Sequence, residues 1–191
     1  ARQRESERAV DVSKNELGLK RNRLRVLEDL HRRLEGVGAG ARALLSKGDP
    51  RVLGMVADRI EAPEELTLAV AGLLGDRLQA VVVQDADAGL DLLSELARSE
   101  RGRADVVPVH PPYVSGTARD AELDARVLGR LSDPLRYADA DEALVRALVG
   151  DTLLVRNATD AAAVARRFGG VTAVALDGTV ARPDGMVSGG G

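Results

Sequence analysis

Apolar positions fall in steps of seven along the first 35 residues, then give way to short apolar runs. Val10, Leu17, Leu24 and His31 stand seven apart, with Leu27 and Leu34 at the companion spacing and polar Ser13 and Lys20 in the earlier companion places. Two arrangements meet this pattern: one strand of a coiled coil, or an amphipathic helix lying on its own domain. The other faces of the segment are polar, which points to another long helix as its neighbour. Gly36, Gly38 and Gly40 then end it. A glycine loop that cradles phosphate follows a strand and opens a helix. Here a long helix precedes the glycines, so they read as a helix stop before a short helix from Ala41 to Leu45. No G-x-x-x-x-G-K-[ST] run encodes a nucleotide site.

From residue 50 the pattern alternates. Strands are expected at Val52–Val56, Ala80–Gln84, Asp105–Val109, Thr152–Val155 and Val171–Leu176. Helices are expected at Glu64–Leu74, Ala88–Arg98, Asp120–Leu131, Asp141–Val149 and Asp160–Phe168, with a loop over 111–122 and a hairpin turn at Asp177-Gly178. This predicts an α/β (α+β) domain. An echo runs through it: helix, Gly75-Asp76, strand and Asp85 recur 75 residues on as helix, Gly150-Asp151, strand and Asn157. Either two α/β units resemble each other by chance, or the domain holds two related subdomains. The second reading divides the chain into a helical arm at 1–35 and subdomains at 36–120 and 121–191.

Composition narrows the chemistry. Charged residues make up 30% of the 191, and no run of 18 apolar residues exists to span a membrane. With no cysteine and two histidines, the chain lacks a disulfide framework, a thiol nucleophile and an imidazole zinc cluster. Tyr113, Tyr137 and Phe168 are too few for a base-stacking platform. The net charge of −3 divides into +3 over residues 1–36 and −6 over the rest. Lacking an initial Met and a signal-peptide pattern, the sequence reads as a piece of a longer cytoplasmic protein. Asp85, Asp87, Asp139, Asp141 and Glu142 sit where helices start, so capping and solvation explain them better than acid–base work. His110 reads as a loop residue and Phe168 as core. No enzyme site, metal site or cofactor is expected.

The C-terminus, Asp177 to Gly191, turns at Asp177-Gly178 and ends in a second extended piece within a glycine cluster. Met186 and Val187 between the glycines argue for close backbone approach by a neighbouring element or subunit rather than a loose tail. Here the chain resembles the hinge domain of the structural maintenance of chromosomes (SMC) proteins. The resemblance rests on Glu35-Gly36-Val37-Gly38 after the helix, Leu53-Gly54-Met55-Val56-Ala57-Asp58, Leu74-Gly75-Asp76-Arg77-Leu78-Gln79 with Val81-Val82-Val83, Gly102-Arg103-Ala104, and Leu176-Asp177-Gly178. The family's terminal P-G-G-x-x-T-G-G is matched at Gly185, Gly189 and Gly190, with Asp184 and Ser188 as departures.

The resemblance implies a homodimerisation hinge that joins two coiled-coil arms of a chromosome-condensation ATPase whose heads lie elsewhere. It implies an interface at Gly185, Met186, Val187, Gly189 and Gly190, and a returning coiled-coil segment of the same chain as a partner. It places the junction of arm and hinge beside Arg21, Arg23, Arg25, Arg32 and Arg33. These are either weak, sequence-independent DNA contacts or a solvated face paired with Glu28, Asp29 and Glu35. A nucleoid-associated, cytoplasmic protein follows. The alternative is a small-molecule-binding or enzymatic α/β domain with a helical extension.

Overall fold

The computed structural model of the chain describes residues 13, 14, 16–18, 20, 21, 24, 37–113 and 119–190. It divides into two units, Ala1–Val37 and Gly38–Gly191. In the first, every described position from Ser13 to Leu24 is helical, and Leu17 and Leu24 are about half exposed. Leu27 and Leu34 lie outside the described residues.

The second unit runs α1 (Ala39–Ser46), β1 (Val52–Met55), α2 (Thr67–Leu74), β2 (Val81–Val83), α3 (Ala86–Arg98), β3 (Val106–Pro108), α4 (Arg119–Glu122), β4 (Val127–Arg130), α5 (Glu142–Val149), β5 (Leu153–Val155), α6 (Ala158–Arg167), β6 (Ala173–Ala175), β7 (Val180–Ala181) and β8 (Val187–Ser188). The strands form two sheets, β1-β2-β3 and β4-β5-β6-β7-β8. Each sheet begins the same way. Its first strand is antiparallel to its second, which is parallel to its third across a helix. The mixed α/β class is therefore as expected, and the echo belongs to two copies of one arrangement.

Local chemistry explains the correspondence. Gly75 and Gly150 end α2 and α5 at φ of +50° and +60°, where a side chain is disfavoured. Asp85 and Asn157 start α3 and α6, their side chains accepting from the amides of Ala88 at 2.8 Å and Asp160 at 2.9 Å.

Two expectations are corrected. Asp120–Leu131 is not one helix: α4 stops at Glu122 and β4 follows. Asp124 turns the chain between them. Its carboxylate accepts from the Arg126 amide at 3.0 Å and its carbonyl from the Val127 amide at 2.9 Å. β-branched Val127 then favours a strand, and Gly129, at φ +149°, takes the bulge that offsets β4 against β5. The second correction concerns the C-terminus. Its last extended piece is itself a hairpin, because Pro183 to Gly185 turn the chain between β7 and β8.

One core serves both sheets. Val56, Leu66, Val70, Leu73 and Val82 from the first half pack with Leu131, Leu144, Val145, Val149, Leu154 and Val174 from the second. Alternation along the strands decides who joins it. Val82, Leu154 and Val174 face this core, whereas their neighbours Leu153, Val155, Ala173 and Ala175 face a smaller cluster beneath α6 with Ala161 and Val164. Full burial of a Leu or Val of this kind contributes about 1.5–3 kcal/mol.

Candidate pairing surface

The terminal hairpins grow out of the second sheet. Gly178 lies at φ +87° in the β6–β7 turn, where its amide donates to the Ala175 carbonyl at 3.0 Å. Beside it the Thr179 amide donates to the Asp177 carboxylate at 2.9 Å, and the same residue's amide and hydroxyl hold that carboxyl below its usual range. This turn seats on α2 at backbone contact. A Cβ on Gly72 would fall 2.0 Å from the Gly178 carbonyl oxygen, so the crossing requires glycine.

From β7 the Arg182 amide donates to the Met186 carbonyl at 2.9 Å, and the Met186 amide to the Asp184 carboxylate at 2.9 Å. Gly185 occupies the turn at φ +87°. A Cβ on Gly189 would meet Thr179 Oγ1 at 2.7 Å, and Gly190, at φ +88°, borders open space. Gly185 and Gly189 thus have reasons within their own chain. Met186 and Val187 do not: they are 58% and 56% exposed, just before and at the start of β8, the last strand of its sheet. Since the Met186 carbonyl bonds back to Arg182, alternation leaves the Val187 amide and carbonyl on the open side. A groove of about 590 Å³ beside Val187 is lined by Ala162 and Ala165 of α6 and by Gly169 just beyond its end.

The other residues singled out in the sequence do not converge on a site. Asp85 caps a helix, and Glu142 pairs with Arg146 at 2.8 Å one turn on. Asp87 and Asp139 lie in the first turns of their helices, and His110 is exposed in a loop. Phe168 packs against the smaller cluster with the Arg167 guanidinium 5.1 Å above its ring. Asp141 is 3% exposed and takes Arg59 Nη1 at 3.2 Å, so that a buried carboxylate and a part-buried guanidinium join the two halves, a pairing not legible in the sequence. Arg21 is helical and exposed, whereas Arg23, Arg25, Arg32 and Arg33 lie outside the described residues. Among the described residues there is no group of three metal-ligating side chains, and no helix long and apolar enough to cross a membrane.

Two small sheets sharing one core, the second ending in an exposed apolar edge strand, define an α/β association module. The family model of the SMC proteins flexible hinge domain matches residues 49–165, and the chain belongs to that family. It is 34% identical over 195 residues to the chromosome partition protein Smc of Myxococcus xanthus, covering 97% of this chain and 16% of that protein. An asymmetric dimer of the Geobacillus stearothermophilus SMC hinge domain superposes with a TM-score of 0.75 at 25% identity, covering 90% of this chain and 73% of that one. The Pyrococcus furiosus Smc hinge domain with an extended coiled coil matches at 0.66 and 25% identity, over 96% and 68% of the two chains. The hinge is a non-catalytic module.

Proposed function

We propose that this chain is the homodimerisation hinge of a chromosome-partition Smc protein, with 1–35 as the end of one coiled-coil arm and 36–120 and 121–191 as its subdomains. The observation that carries this is the open β8 edge with Met186 and Val187 exposed, in a fold shared with a crystallised hinge dimer. The first sheet offers a complementary edge. In the second sheet the outer side of β6 is filled by β7, the Ala175 amide donating to the Thr179 carbonyl at 2.8 Å. At the equivalent side of β3, Val106 and Pro108 face outward, because Asp105 and Val109 carry the bonds to β2. Pro108 has no amide to give, so this edge offers one donor and two carbonyls. β8 of one copy lying along β3 of the other joins the second subdomain of each chain to the first of its partner.

The longer protein, of which this chain spans a small part, then carries ATPase heads at the far ends of its arms, and a segment beyond Gly191 returns beside 1–35. Arg21, Arg23, Arg25, Arg32 and Arg33 contact DNA phosphates weakly and without sequence preference, as suits a cytoplasmic, nucleoid-associated protein.

Sedimentation of M186E/V187E tests the pairing. Both side chains are exposed, so the variant is expected to keep the helix and strand content of the unaltered chain by circular dichroism and to sediment as a monomer. A dimer of unchanged affinity overturns the reading. Replacing the glycines is a poorer test, since Gly185 and Gly189 serve their own hairpin.

A further inference from the structure

At the C-terminal end of α2 a cleft of about 310 Å³ is lined by Leu73, Arg77, Tyr113, Gly150, Gly170 and Arg182 among others. Its two arginines come from opposite halves of the unit. Arg77 Nη2 donates to the Leu73 carbonyl at 2.7 Å and Nε to the Leu74 carbonyl at 3.4 Å, the ordinary way a cation closes a helix C-terminus. Arg182 brings a second guanidinium to the same oxygen. Its Nη2 lies 3.5 Å from the Leu73 carbonyl, and its Nη1 donates to Ser188 Oγ at 3.2 Å. Arg77 already serves the helix end, so capping does not account for Arg182.

Neither arginine forms an ion pair among the described residues. The carboxylate of Asp151, at the rim, is bound by Arg130 Nη1 at 2.8 Å. Burial, and then the neighbouring Arg182 charge, push the Arg77 guanidinium below its ordinary range. Each guanidinium carries five N–H groups, and each has two nitrogens engaged here, so donors remain unfilled on both forks. Two adjacent cations with spare donors suit a tetrahedral oxyanion of up to two negative charges better than a carboxylate with two oxygens and one charge.

We propose that Arg77 and Arg182 together form a binding site for a phosphate group. The phosphate belongs to a small molecule or to the backbone of a nucleic-acid strand, and the site does not depend on the pairing reading. The test follows the Nε–H signals of both arginines by NMR while the chain is titrated with inorganic phosphate, then with a short single-stranded oligonucleotide. Phosphate is expected to move both signals together and saturably. Arg182→Gln should weaken phosphate binding roughly tenfold or more with unchanged melting, because Arg77 still closes α2. An oligonucleotide that moves the same signals and is displaced by phosphate identifies the strand as the source; phosphate acting alone identifies a small molecule. The proposal fails if phosphate moves neither signal, or if R182Q binds it as tightly as the unaltered chain.

Discussion

The first half of the globular unit (residues 49–109) and the second (124–176) repeat one arrangement, and they differ where each must meet something else. Asp49-Pro-Arg51 and Asp124-Ala-Arg126 make the same turn, each arginine amide and side chain donating to the aspartate two residues back. β1 and β4 then carry the same Val-Leu-Gly with a bulge at its glycine. The halves part at α2 and α5. Leu66 precedes α2 and Asp141 precedes α5 with nearly the same backbone angles, yet Leu66 is apolar core while Asp141 is a buried charge held by Arg59. Gly72 in α2 corresponds to Ala147 in α5, and it is Gly72 that the β6–β7 turn crosses at backbone distance. Repetition sets the elements; the asymmetric positions record which neighbour each half has.

The Arg59–Asp141 pair gives the sharpest break. Arg59→Ala strands a buried carboxylate and should cost about 3 kcal/mol in a urea melt. Replacing both members with leucine should recover most of that loss, since Leu66 already fills the corresponding place in the first half. A double variant as unstable as the single one would mean that the ion pair, not the apolar packing, holds the halves together.

Gly72→Ala comes next. Its Cβ would collide with the backbone oxygen of Gly178, at an expected cost of about 1–3 kcal/mol. Ala147→Gly, the mirror change, should cost about 0.5–1 kcal/mol from helix propensity alone. Equal effects would show that the Gly178 crossing relaxes easily.

The smallest expected difference lies between the two Asp-x-Arg turns. The Arg51 side chain beside Asp49 lowers its carboxyl from 3.8 to about 2, and the Arg126 side chain holds Asp124 lower still, with Arg167 3.2 Å away adding to it. A carboxyl depressed in the folded state stabilises above its unfolded value, and that contribution disappears as pH falls through the folded one. Both turns should therefore contribute fully above about pH 5 and progressively less as pH falls through the folded values, that of Asp49 near 2 and that of Asp124 lower. D49N and D124N should each melt lower than the unaltered chain at pH 7, D124N by more, with both gaps narrowing at pH 3. A gap that is constant with pH would remove the charged turns from the comparison.

Much of the architecture was written in local signals. The Val81–Val83 run, the caps at Asp85 and Asn157 and the stops at Gly75 and Gly150 each depend on a few neighbouring residues, and each is where periodicity and capping placed it. Over 120–131 helical spacing runs on across Asp124 although the chain turns there, because the turn is a side-chain bond that periodicity does not register. The signal for a strand there is the echo itself, in which Val127-Leu-Gly129 repeats Val52-Leu-Gly54. The reasons for Gly72, Arg59 and the convergence of Arg77 with Arg182 lie more than 80 residues away along the chain, beyond any local pattern. The exposed edge was half legible: Met186 and Val187 were singled out, but the glycines around them serve the hairpin itself.

Glu61 and Arg136 are bonded to each other through both their amides, each donating to the other's carbonyl at 2.8 Å. They also occupy the same place in the two halves, so this bridge is a self-matching contact of the kind usually made by two separate molecules. A covalent connection through residues 110–123 holds the halves at an effective concentration on the order of millimolar, whatever the protein concentration. The β8 edge has no such tether. A joint between chains at that edge, as proposed, would therefore loosen on dilution while the joint within each chain stayed intact.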